Sequence, residues 1–320
     1  MRIPQTGRSV GFRARPDARA EHGQVFAFTV FALVALLGIT ALVLDVGSWL
    51  HTQRRLQATA DAAALAGAQA LPTNPSGASQ MAVQYGTTNG GGVSASDVTI
   101  TSTNTNDDTI TVEAKKQAPA FFSKIFGINL VDINESATAL VGTPAQAEYV
   151  APMVVSCNHP LIQDCDGKNT PQFNQNTTLP FDPLGAPGAF GMINLSGGSG
   201  TPGTSAEASW ILTGFQQYLG LGHYNSDPGA KFTSNQIQSA LSARIGTVLL
   251  FPVFDTLTGP GQNAQYNIIG WIGFMLQAFT MHGNTATLTG YFTTFIAHGI
   301  LPQSGSGSTN FGVTSIQLIK

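Results

Sequence analysis

VFAFTVFALVALLGITALVL, residues Val25–Leu44, carries no charged side chain and runs on through DVGSWLHTQRRLQATADAAALAGAQAL to Leu71. At a rise of about 1.5 Å per residue, a helix over Val25–Leu44 is about 30 Å long, the thickness of a bilayer's hydrocarbon core. The stretch therefore reads as a transmembrane helix. Arg2, Arg8, Arg13, Arg15 and Arg19 precede it, and only Arg54 and Arg55 follow closely. Basic residues stay on the cytoplasmic side, so the N-terminus is expected in the cytoplasm and the chain beyond residue 45 outside. A cleaved secretory signal is the competing reading. Its apolar region is usually about 7–15 residues, however, and the Ala-x-Ala sites at 58–60 and 64–66 lie well past the apolar run.

The helix is expected to continue from about Gln24 to Ala70, because Asp45 to Leu71 contains only two isolated glycines, Gly47 and Gly67, and no proline before Pro72. Eight of the thirteen residues from Ala58 to Ala70 are alanine. Ala60, Ala64, Gly67 and Ala68 recur at spacings of three and four, a face that lets another helix approach closely. They are the candidate helix-packing residues; the bland alternative is that alanine is there for helix propensity alone. Asp45, with Arg54 and Arg55, marks the membrane boundary. An ionisable residue at the end of a span either fixes the depth of the helix or pairs with a partner's cation.

Only 10% of the residues are charged, and Thr256 to Ile319 contains no Asp, Glu, Lys or Arg. A surface that is polar without charge suits lateral association with copies or partners, and equally an ordinary exported β-rich domain. A net charge of −3 offers no basic stripe for nucleic acid. Cys157 and Cys165 bracket the short loop CNHPLIQDC, and outside the cytoplasm they are expected to form a disulfide.

Past the break LPTNPSGAS the chain reads as a small α+β module. A short helix covers Ser79 to Tyr85, DVTITST and DTITVEA alternate as strands, APAFFSKIFGI reads as a helix and LVDINESATALV as a returning strand. From about Gln146 the chain is first rich in loops, with Pro180, Pro183, Pro187 and SGGSGTPGTS, then carries a helix over Thr233 to Arg244 and three apolar runs too short to cross a bilayer. Those runs, TVLLFPVF, YNIIGWIGFMLQAF and ATLTGYFTTFIA, are expected as buried strands. The fold class is α+β, in five segments: a basic tail 1–24, a transmembrane anchor 25–44, its alanine-rich extension 45–71, the α+β module 72–145 and a β-rich exported domain 146–320.

LDVGSWLHTQRRLQATADAAALAGAQAL, the helix ending in YGTTNG, and ITVEAKKQAPAFFSKIFGINLVDINESATALV together resemble the N-terminal region of TadE/TadG-like proteins of bacterial tight-adherence (Flp-type) pilus systems, over residues 20–142. The resemblance implies a single-span, outward-facing accessory or minor structural component of a surface pilus machine, with other pilus proteins as partners. Two departures limit it. Cleavage by a prepilin peptidase five residues before Glu21 would have to follow Pro16, which is not a small residue of the required kind. The D-x-S-x-S motif of the longer members' von Willebrand A-type domain is missing.

No nucleophile elbow, P-loop, HExxH or dinucleotide fingerprint occurs, so no enzyme and no cofactor are expected. The six histidines are scattered without i,i+4 pairing. DCDGKNT, with Asp164, Asp166 and Asn169, offers closely spaced oxygens for calcium but lacks the glutamate that completes an EF-hand loop. The expected partners are the lipid bilayer, pilus or pilus-assembly proteins and further copies of the chain. The alternative is a surface-binding protein or adhesin independent of pili.

Overall fold

The computed structural model describes residues 19–182, 189–198, 201–228, 231–260, 263–282, 285–302 and 308–319. The tail residues Arg2, Arg8, Arg13, Arg15 and Pro16, and the loop residues Pro183 and Pro187, lie outside them. The helices are α1 Arg19–Ala68, α2 Pro75–Asn89, α3 Thr204–Thr213 and α4 Asn235–Arg244. The strands needed below are β1 Val98–Thr101, β2 Thr109–Pro119, β3 Leu130–Gly142, β4 Asn176–Phe181, β5 Val248–Thr258, β6 Gln265–His282, β7 Thr285–Thr293, β8 Phe295–Ile296 and β9 Val313–Leu318. The architecture is α+β, with a long N-terminal apolar helix and a β-rich remainder.

The chain divides into two units, Met1–Arg55 with Lys115–Asn134, and Leu56–Ala114 with Glu135–Lys320. In the first, α1 is long and apolar enough to cross a bilayer. Thr29 and Thr40 return their hydroxyls to the carbonyls of Val25 and Leu36, each at 2.8 Å, so the apolar stretch leaves no hydroxyl unsatisfied. Every residue from 25 to 44 is exposed except half-buried Ala41. The outer ends of β2 and β3 and the connection between them complete this unit. The connection was expected to be a helix, and only the 3₁₀ turn Ser123–Phe126 forms. Gly127, at φ 82°, closes it after one turn.

In the second unit, the alanine-rich part of α1 lies with α2, whose start is fixed by Asn74 accepting the Gly77 N–H at 2.9 Å and by Pro75 in the first turn. β1 and β2 pair antiparallel from Val98↔Val112 to Thr101↔Thr109. Their turn is built on buried Asp108, which accepts the N–H groups of Thr103, Asn104 and Thr105 at 2.6–2.7 Å.

The sheet order is β1-β2-β3-β9-β8. The last strand of the chain therefore joins the first sheet, with Ser315↔Gly142 and Leu318↔Ala139 in register. The boundary expected at residue 145 does not separate two sheets. The free edge of β3 requires a partner, and the C-terminus supplies it.

The three apolar runs are the strands β5, β6 and β7, which pair antiparallel, with β4 beyond β7. Ile272 and Phe274 of β6 feed one core, Trp271, Tyr266 and Ile268 the other. A strand buried on both faces reads as a continuous apolar run, as β5 and the middle of β6 do, whereas β7 alternates buried and half-buried positions along its length. α4 begins one residue after its cap Ser234. α3 starts at Thr204, at the end of the stretch SGGSGTPGTS expected as loop, and no element was expected over most of its length.

Candidate functional site

The first unit is organised around one carboxylate. Asp45 is fully buried on the helix face Ala41, Asp45, Ser48 and Trp49, the positions of this stretch that are not exposed. Its Oδ1 accepts the N–H of Phe121 at 2.9 Å, and its Oδ2 accepts the N–H of Phe122 at 3.0 Å and both the N–H and the hydroxyl of Ser123 at 2.6 Å. One turn further on, Trp49 Nε1 donates to the carbonyl of Pro119 at 3.3 Å. Three successive backbone N–H groups curled around an anion form a nest, and a buried carboxylate needs that many donors to stand away from water. Of the two roles considered for Asp45, pairing with a partner's cation has no acceptor to spare. Its oxygens are engaged by the chain itself. Arg54 and Arg55 stand exposed on the next turns of α1.

The small-residue face lies in the second unit. Ala60, Ala64 and Ala68 are fully buried. A Cβ on Gly67 would stand 2.5 Å from Ile110 Cδ1 and 2.8 Å from the Ala78 carbonyl. The helix-packing face therefore meets α2 and β2 of its own chain, where a partner's helix was expected. Thr59, on the same stretch, donates to the Asn89 carbonyl at 3.3 Å.

A charge cluster that sequence reading missed joins α3 to the segment before α4. Lys231 Nζ contacts Glu207 Oε1, both oxygens of Asp227 (2.7 and 2.6 Å) and the Pro202 carbonyl. Glu207 and Asp227 are buried. Burial, with Asp227 beside it, pushes the Glu207 carboxyl up to about 9, against the pull of Lys231. Glu207 is thus protonated at neutral pH and Lys231 pairs chiefly with Asp227. The only signal in the sequence was two acids and one base in an otherwise uncharged stretch, Glu207, Asp227 and Lys231 between Asp182 and Arg244.

Cys157 and Cys165 form a disulfide with Cα atoms 4.9 Å apart. In the adjoining loop Asp164 accepts the N–H groups of Gly167 and Asn169, both at 2.7 Å, and Asp166 pairs with Lys168. The carboxylates of Asp164 and Asp166 are thus engaged by the loop's own backbone and lysine. Among the described residues no group of three His, Cys, Asp or Glu is placed to hold a metal ion. Two clefts of about 500 and 550 Å³ are lined without an ionisable side chain.

No curated protein and no solved structure matches the chain. A family model described as "putative Flp pilus-assembly TadE/G-like" matches residues 23–70, the apolar helix and its alanine-rich extension. Together with a helix of spanning length this fits a membrane-anchored pilus-assembly protein, and residues 23–70 are similar to that family.

Proposed function

We propose that the chain is a single-pass, outward-facing component of a tight-adherence pilus system, serving as a minor pilus subunit or assembly factor rather than as an enzyme. The observation that carries this reading is the bare apolar half of α1 inside a TadE/G-like segment. The half is exposed at every position from 25 to 44 but Ala41, which is costly in water and natural in lipid. The arginine-rich tail supports a cytoplasmic N-terminus and an exported remainder. The disulfide supports an oxidising destination. With the small-residue face taken up by α2 and β2, association with partners falls to other surfaces.

Shearing filaments from cells and probing filament and membrane fractions, alongside a deletion strain, tests the reading. Protein in the filaments makes it a subunit. Protein confined to membranes, with filaments lost on deletion, makes it an assembly factor. Protein confined to membranes, with normal filaments in the deletion strain, overturns the proposal in favour of an independent surface-binding protein.

A further inference from the structure

The connection between β2 and β3 exposes six large apolar side chains in ten residues: Phe121, Phe122, Ile125, Phe126, Ile128 and Leu130. Ile125 and Phe126, at its apex, are 83% exposed. A soluble surface rarely presents so dense an apolar tip, and a core that wanted these side chains would have covered them. The tip is nevertheless not loose. Gly127 closes the 3₁₀ turn, and Asp45 holds the N–H groups of Phe121, Phe122 and Ser123.

Asp45 is the residue immediately after the apolar span, and on the same helix face half-buried Ala41 lies one turn, about 6 Å, further into it. The tip is thus fixed to α1 at the level where hydrocarbon gives way to headgroups. Lys124 stands exposed within the tip and Lys116 on the adjoining strand. A lysine among apolar residues runs its stem along them and leaves its ammonium at the phosphate level.

From this juxtaposition we infer that the β2–β3 tip is a second membrane contact, seated in the headgroup and outer acyl region of the leaflet beside α1, with Asp45 as the positioning residue that sets its depth. An apolar face of this kind inserts about 5–10 Å into the interface without spanning it. The inference rests on the membrane-anchor reading of α1. Beside a single helix, free to rotate and tilt, a second contact restrains the orientation of the exported chain.

The test uses the full chain in vesicles of phosphatidylcholine and phosphatidylglycerol. The native cysteines are joined, so a thiol introduced by Ile125→Cys or, separately, Leu33→Cys takes a nitroxide label alone. Collision with oxygen, which partitions into lipid, is compared with collision with a water-soluble nickel chelate. Both labels are expected to lose nickel accessibility and gain oxygen accessibility. Adding Asp45→Ala is expected to restore nickel accessibility at Ile125→Cys and leave Leu33→Cys as it was. A lipid-like Leu33→Cys with a nickel-accessible Ile125→Cys overturns the inference while the anchor stands. An Ile125→Cys label shielded from both reagents overturns it in favour of a protein partner or second copy. Nickel access at both sites removes the anchor and the inference with it.

Discussion

Residues 25–44 and 56–68 of α1 are both helix rich in apolar residues, yet the first stands exposed and the second is largely buried in protein. The difference is side-chain size. Phe26, Phe28, Phe31, Leu33, Leu36 and Leu37 project from the first half, where long side chains fill space as lipid tails do and hold another backbone away. Ala60, Ala64, Gly67 and Ala68 project almost nothing, so the backbone of α2 and the side chain of Ile110 approach to contact. Both segments are helix rich in apolar residues, and the side-chain volume at each position marks which of them lets another backbone approach.

The largest expected effect comes from making the second half resemble the first. Gly67→Leu has no room beside Ile110 and the Ala78 carbonyl, and is expected to lower the unfolding free energy of the second unit by about 3 kcal/mol, read by urea unfolding of the full chain in detergent. Ala64→Leu should act in the same direction. A folded variant that merely lost a partner would return the seam to an intermolecular role.

A change of pH separates the halves without mutation. Glu207 keeps its proton in the folded unit up to about pH 9 and has an ordinary value of 4.5. Its contribution is fully present below pH 4.5 and is lost as pH rises towards 9, because the folded state binds a proton the unfolded chain releases. Between pH 6 and pH 8 the second unit should weaken by roughly 2 kcal/mol. Amide protection factors at 60–68 should fall with it and those at 30–40 hold, while Glu207→Gln flattens the slope. Equal behaviour of both segments would dissolve the division.

At the junction, Asp45→Asn exchanges a carboxylate for an amide that accepts at only one atom. Hydrogen exchange at the amides of Phe121, Phe122 and Ser123 is expected to quicken about ten-fold or more, with the second unit unaffected. Leu33→Ala is expected to do least: its side chain is exposed, so the unfolding free energy of the second unit, read by urea, should stay within about 0.5 kcal/mol of the parent. A larger loss would mean that the exposed half is stabilised by protein contacts.

Much of this organisation was legible in the residues. The spanning helix and its alanine-rich continuation follow from length, apolarity and the absence of proline, which are local properties. The strands β5, β6 and β7 follow from short apolar runs bounded by Gly, Pro and Asn. The helix α3 was hidden because the glycine- and serine-rich segment before it reads as loop, and the expected helix at 118–128 was reduced to one turn by Gly127 and by Asp45 drawing off its amides.

By itself the sequence determined that one segment has the length and apolarity to cross a bilayer, that a small-residue face follows it, and that a β-rich chain lies beyond. Those features depend on residues adjacent in the chain or one helical turn apart. Only the tertiary structure decided which surface covers the alanines, that Ser315 to Leu318 closes the sheet begun at Val98, that Asp45 meets amides more than seventy residues away, and that Glu207 shares Lys231 with Asp227. Apart from Asp227 with Lys231, four residues apart, those pairings join residues distant in sequence. Their partners are selected by shape, by free strand edges and by the need to satisfy buried charge, and none of these acts until the chain has folded.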